Sequence, residues 1–224
     1  FNRAPAGSWH ALPMDLFLVI EHALALSAIT QGAYDPTIAP LVALWGFGPG
    51  GTPRTAPPDE AAIAATQAHV GSARLQLDPN GHRALQAGGL QLDVNSLGPG
   101  YAVDAIALIL HAHNVDDYLV ELGGEMRAAG RKPDGSPWRV AVERPDTRDS
   151  EDFDLIVELY DNALGSSGDY RSGFVHEGRH YSHTLDPRTG YPVQHALAAV
   201  TVIDISALSA DAQAAALMVL GPEQ

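Results

Sequence analysis

Tyr181-Ser182-His183-Thr184-Leu185-Asp186-Pro187-Arg188-Thr189-Gly190-Tyr191-Pro192 is too polar and too rich in turn formers to be core, and Ser166-Ser167-Gly168-Asp169-Tyr170 shortly precedes it. That profile suits a loop that does chemistry. Within it, Pro187 and Gly190 force a tight turn, so Asp186 and Thr189 can bond backbone N–H groups, and the pentapeptide by itself is equally a structural Asx turn. His183 tips the reading toward function, since an imidazole titrating near ~6.5 is the usual base or orienter. Outward from the loop, Phe153 to Leu159 and Ala198 to Ile205 alternate as strands, and a helix is expected from about Ser209 to Leu220, stopped by Gly221.

Toward the N-terminus, Leu16, Val19, Ile20, Ala23, Leu24 and Leu26 recur at helical spacing, which predicts an amphipathic helix over residues 13–31 ending at Gly32. Ala33 to Thr37 then form an irregular, ligand-sized loop, Leu41 to Gly48 an apolar turn, and Pro49 to Pro58 a linker. A short helix is predicted over 59–70 and strands over 75–77, 84–86 and 90–93, the first two joined across Pro79-Asn80-Gly81, with Asp93 at a strand end. The next helix runs from about Pro99 to His113, with Ser96 as its possible cap, followed by strands over 119–122 and 138–143. No internal repeat is present. The fold class is α+β, with mixed sheets, flanking helices, antiparallel hairpins and long ligand-binding loops.

The chain has 224 residues, 46% of them hydrophobic and 18% charged, which describes an ordered globular protein. A formal net charge of -14 and 13 scattered basic residues oppose binding to a phosphate backbone, so nucleic acid is excluded as a partner. An anionic ligand would instead need backbone N–H groups, a helix N-terminus or a metal ion. The absence of cysteine excludes disulfides, thiolate metal sites and thiol nucleophiles. No apolar stretch approaches the ~20 residues that span a bilayer.

Three further segments carry chemistry-bearing groups. Leu122-Gly123-Gly124-Glu125 follows a strand and would let a ligand approach the backbone, although a glycine bulge explains it as well. Asp93 to Asp104 is a strand-to-helix passage whose helix N–H groups can face an anion. Asp211, in Ser209-Ala210-Asp211-Ala212, is expected in a first helical turn, where dipole compensation is its default role.

In order along the chain, Gly32 to Thr37, Leu44 to Gly48, Asp93 to Asp104, Gly123-Gly124-Glu125, Ser167 to Tyr170, Tyr181 to Pro192 and Ala210-Asp211 together resemble the FAD:protein FMN transferases, the ApbE-type flavin transferases. The resemblance covers nearly the whole chain and is most specific from Tyr181 to Pro192. It implies one ApbE-like domain over 1–224 that lacks the family's N-terminal segment and C-terminal strands. It also implies transfer of FMN from FAD to a threonine or serine hydroxyl of an acceptor protein, with release of AMP and with Mg²⁺ on the pyrophosphate. By the same resemblance Ala33, Tyr34, Asp35 and Asp93 hold FAD, Gly124, Ser167, His183 and Thr184 lie around it, and His183 is the candidate base or orienter. Asp211 matches the metal aspartate, and Ser96 the position whose backbone carbonyl completes the metal site.

The chain departs from the family pattern at Pro99, where a Lys or Glu is usual, and at Ala215, where a Thr or Ser one helical turn after the metal aspartate is usual. These departures keep two other readings open, a FAD-binding relative with lost or weak transfer activity and a FAD pyrophosphatase giving FMN and AMP. The resemblance places such proteins in the bacterial periplasm or at the outer face of the inner membrane, with the cytoplasm as the alternative. A membrane would be met only through an N-terminal lipid anchor that this chain does not contain.

Overall fold

The computed structural model describes residues 1–48, 52–145, 153–170 and 172–223, so residues 49–51 of the expected linker lie outside the described residues. The chain divides into two compact units, Phe1–Val94 with Arg171–Ala196 and Val219–Gln224, and Asn95–Tyr170 with Leu197–Met218. The α+β expectation is met in both.

In the first unit, β1 (Ser8–Ala11) and α1 (Met14–Ile29) precede an antiparallel sheet in which β3 (Arg83–Gln86) lies between β1 and β2 (Gln76–Asp78). Phe17 and Ile20 of α1 pack with Leu12, Leu75, Ala84 and Leu90 in one core. The helix stops at Ile29 because Gly32, at φ 82°, donates its N–H back to Ser27 O at 2.9 Å. The segment predicted as an apolar turn is instead a helix, α2 (Ala39–Trp45), with proline in its first turn and Gly46 in the left-handed conformation at its end. It packs with α3 (Glu60–Gln67), whose N-cap Asp59 accepts from Ala62 N at 2.7 Å.

Residues 90–93 do not form the expected strand. Two side chains take up polar groups there: the Gln86 amide nitrogen donates to Leu90 O at 2.9 Å and its amide oxygen accepts from Leu90 N at 3.1 Å, while the Asn2 amide donates to Leu92 O at 2.9 Å and accepts from Leu92 N at 2.8 Å. Asp93 consequently lies in an irregular run, its N–H donated to Pro36 O at 2.8 Å.

The segment from Tyr181 to Pro192 also proves more regular than its composition suggests. β9 (Gly173–His176) pairs with β10 (Arg179–Ser182), and β11 (Leu185–Asp186) with β12 (Tyr191–Pro192). Trp45, fully buried, donates its indole N–H to Gly190 O at 2.9 Å and stacks on Tyr181 at 5.7 Å. Trp45→Phe is therefore expected to destabilise by about 1–3 kcal/mol, because it leaves the Gly190 carbonyl without its donor. Urea denaturation measures the loss, and faster amide exchange confined to residues 186–190 marks its location.

In the second unit, β4 (Tyr118–Leu122), β5 (Glu125–Ala129), β8 (Ala163–Gly168) and β13 (Ala199–Asp204) form an antiparallel sheet of order β13-β8-β5-β4. Val103 of α4 (Gly98–Ala112) and Ala207 of α5 (Ala207–Leu220) pack with Ala163 of the sheet. The ribbon of β6 (Trp138–Glu143) and β7 (Phe153–Leu159) contributes Val140 and Leu159 to a separate core with Ala128 and Leu164. Gly123 and Gly124, at φ 71° and 109°, are the two turn residues of the β4–β5 hairpin, with Leu122 paired to Glu125. The turn is a tight hairpin and not a bulge, because two consecutive positive φ angles suit the twist of the strands.

Candidate functional site

In the first unit, Ala33 to Thr37 are all buried, an unusual state for a loop. Asp35 makes this workable: one carboxylate oxygen accepts from Thr37 N at 2.8 Å and Thr37 Oγ1 at 2.6 Å, the other from Ser72 N at 2.7 Å. Its carboxylate therefore holds the loop in shape, and any contact it makes to a nucleotide is additional to that task. Tyr34 N is capped by Thr30 Oγ1 at 3.1 Å. Asp93 is drawn to the same loop through its bond to Pro36 O.

His183 lies at the end of an aromatic stack. Phe174 stacks on Tyr181 at 5.2 Å and on Phe47 at 6.1 Å, and the edge of the His183 ring meets Phe47 at 6.4 Å. Its Nδ1 is 3.2 Å from Ser172 O. A carbonyl can only accept, so in that bond Nδ1 is the donor, and in the neutral ring Nε2 then carries the lone pair. Thr184 follows directly and accepts from Val193 N at 2.9 Å through its carbonyl. The Asp186 carboxylate is spent within its own turn, accepting from Arg188 N at 2.9 Å and pairing with Arg188 Nη2 at 2.9 Å.

The second unit gathers carboxylates around two helix N-termini. Asp211 lies beyond the first turn of α5, so the expected dipole role is wrong: its side chain instead reaches α4, accepting from Gly100 N at 3.1 Å. Ser96 is likewise not the side-chain cap of α4, whose N-cap position is Leu97. Conversely, Asp104 of α4 caps α5, accepting from Ser206 Oγ at 2.8 Å, Leu208 N at 3.0 Å and Ala207 N at 3.1 Å while pairing with Arg127. The two helices thus exchange caps.

Glu125, which the sequence shows only as the last residue of the Gly-Gly-Glu segment and without a role of its own, completes this cluster at only 6% exposure. Burial pushes its carboxyl up to about 7, helped by the nearby charges of Asp211 and Glu121 and opposed only by its own N–H. Asp211, equally buried, is pushed up to about 6 by burial, against the pull of the Gly100 N–H. The signal that could have exposed Glu125 is the alternation of Glu125 and Arg127 against Met126 and Ala128. It was hidden because the sheet is packed on both faces, so the charged positions are covered too.

Gly165 explains how Asp211 comes down onto the sheet. A Cβ on Gly165 would lie 2.5 Å from Asp211 N, a distance no side chain tolerates, so only glycine lets α5 approach there. Ser167, two residues along β8, faces the same side as Gly165, and Gly124 donates its N–H to Glu121 Oε1 at 3.0 Å.

These carboxylates predict a pH dependence for the cation-free protein. Their folded pKa values are raised, so the native state holds more protons than the unfolded chain, and stability falls as pH rises from about 4.5, the ordinary value for Glu125, to about 7. Each carboxylate contributes on the order of 1–3 kcal/mol to that fall. Urea denaturation in EDTA between pH 5 and 8 measures it, and Glu125→Gln flattens the slope; an unchanged slope in that variant contradicts the assignment.

The ApbE family model matches residues 1–224. FAD:protein FMN transferase of Haemophilus influenzae is 38% identical over 213 residues, covering 94% of this chain and 61% of that protein. The Vibrio cholerae protein of the same name is 38% identical over 224 residues, covering 100% and 66%. Among solved structures, the apo form of Pseudomonas stutzeri flavinyl transferase ApbE superposes with a TM-score of 0.89 at 49% identity, covering 99% of this chain and 68% of that one. The flavin transferase ApbE of Vibrio cholerae gives 0.87 at 36% identity, covering 99% and 70%. The fold is thus that of flavin transferase structures. The chain belongs to the ApbE family, and it spans about three-fifths to two-thirds of the length of these transferases.

Proposed function

We propose that this chain forms one functional domain that transfers FMN from FAD to a threonine or serine hydroxyl of an acceptor protein and releases AMP. The observation that carries this reading is the match of residues 1–224 to the ApbE family, whose members include relatives named FAD:protein FMN transferase. The residues of the second unit suit Mg²⁺: Asp211 is a buried carboxylate whose one donor among the described residues is the Gly100 N–H, and among them no Lys or Arg pairs with it. Held by Asp211 and the Ser96 carbonyl, Mg²⁺ would neutralise charge on the pyrophosphate.

The other steps belong to the chain's own groups. Ala33, Tyr34, Asp35 and Asp93 bind the FAD, and Gly124, Ser167 and Thr184 line it. The acceptor hydroxyl oxygen attacks the phosphorus on the FMN side, forming a P–O bond as the bridging P–O bond to AMP breaks. His183 Nε2 takes the hydroxyl proton, while the Ser172 carbonyl keeps Nδ1 protonated and the ring aimed. A periplasmic site, or one at the outer face of the inner membrane through a lipid anchor, follows from the family resemblance, with the cytoplasm as the alternative. No helix among the described residues is long and apolar enough to cross a membrane.

The test is incubation with FAD, Mg²⁺ and an acceptor domain known to be modified by an ApbE protein. The expected result is an acceptor mass gain of one FMN with equimolar AMP. Free FMN and AMP without acceptor would establish pyrophosphatase activity instead. FAD binding without turnover would establish the binding relative, the reading that Ala215 favours because it presents no side-chain oxygen to an ion beside Asp211.

A further inference from the structure

Glu125 is costly where it stands. It is 94% buried, counting from its 6% exposure, and among the described residues its carboxylate finds no hydrogen-bond donor except its own backbone N–H. An ionised carboxylate removed from water without a cation or a set of donors is strongly unfavourable. The nearest cation on its own strand face, Arg127, is committed to Asp104. A core position that needed only volume would be served better by glutamine or leucine.

The carboxylate is also aimed at a particular place. A Cβ on Gly123 would stand 3.4 Å from Glu125 Oε2 and 3.8 Å from Pro99 Cβ, which puts the carboxylate beside the first turn of α4. The next residue, Gly100, donates its N–H to Asp211. Across the sheet, Gly165 touches the backbone of Asp211, and the β5–β8 register of Met126 with Leu164 places Glu125 next to Gly165. Glu125 and Asp211 therefore approach each other from a strand and a helix, and Ala215, one helical turn beyond Asp211, offers no oxygen.

We propose that Glu125 supplies the second carboxylate of the divalent-cation site at Asp211, standing in for the hydroxyl that Ala215 lacks. This rests on the Mg²⁺ assignment made above. Two carboxylates with phosphate oxygens and water are an ordinary donor set for Mg²⁺, and a bound dication removes the repulsion that the pair otherwise bears.

Mn²⁺ binding to the full chain, followed by electron paramagnetic resonance with and without FAD, tests the proposal without relying on turnover. Glu125→Gln is expected to weaken Mn²⁺ binding about 10- to 100-fold. It is also expected to abolish the rise in melting temperature that Mn²⁺ gives the wild type, while melting no lower than wild type in EDTA. Glu125→Gln binding Mn²⁺ as wild type overturns the proposal and leaves the transferase reading intact, as does a variant that melts lower in EDTA, which would make the carboxylate a structural support. If Asp211→Asn also binds like wild type, or the wild type binds no Mn²⁺ in the presence of FAD, the Mg²⁺ assignment itself fails, and the proposal with it.

Discussion

Asp104→Ala is expected to cost about 3–5 kcal/mol, because it breaks a largely buried ion pair and uncaps α5 at the same time. Burial alone would push the Asp104 carboxyl up, but the N–H groups of Leu208 and Ala207, the Ser206 hydroxyl and Arg127 outweigh it and hold the group below its ordinary value. Removing it leaves Arg127, whose side chain is 28% exposed, without its partner, and strips the first turn of α5 of its cap. Asp104→Asn should lose less, since the amide oxygen still accepts from one or two of these donors. Because the folded carboxyl is depressed, its contribution is present above the unfolded value near 3.8 and disappears as pH falls below it. Urea denaturation at pH 7 measures the loss; a change under about 1 kcal/mol would show that the exchanged caps are not what seats α5.

His183→Ala is expected to lower FMN transfer about 10²- to 10⁴-fold while leaving FAD affinity within about threefold of wild type. The ring is half-buried and pinned at Nδ1 by Ser172 O, so its removal takes away the proton acceptor and little packing. An interaction made only as the hydroxyl attacks appears in turnover and not in ground-state binding. Single-turnover kinetics at saturating FAD checks this. Loss of FAD affinity with unchanged turnover would make His183 a binding residue. Unchanged values of both would send the proton elsewhere.

Much of this architecture was legible in the chain itself. The spacing from Leu16 to Leu26 marked α1, and Gly32 its end, since helical period and a left-handed glycine are local properties. Leu41 to Trp45 was misread because seven residues of helix show too little periodicity to separate from a turn, and Ala39-Pro40 was the overlooked start signal. Residues 90–93 look like a strand by composition, but the side chains of Gln86 and Asn2 supply the hydrogen bonds of Leu90 and Leu92, which no period reveals. At the site, His183 was conspicuous because a histidine in a polar turn-rich loop stands out by residue type. Glu125 was not, because a strand covered on both faces gives its charged positions the look of a solvent face.

The sequence by itself determined the element types wherever a period or a cap residue was present, the α+β class, and the ordered motifs that mark an ApbE protein. Only the tertiary structure decided what its acids do. Asp35 is consumed by Thr37 and Ser72, Asp186 by Arg188, and Asp104 by the start of α5, whereas Asp211 and Glu125 are left desolvated against α4. A local pattern tells which side of an element a carboxylate leaves from. Whether it meets water, a donor or another carboxylate depends on which distant segment covers that side, and that is settled by packing.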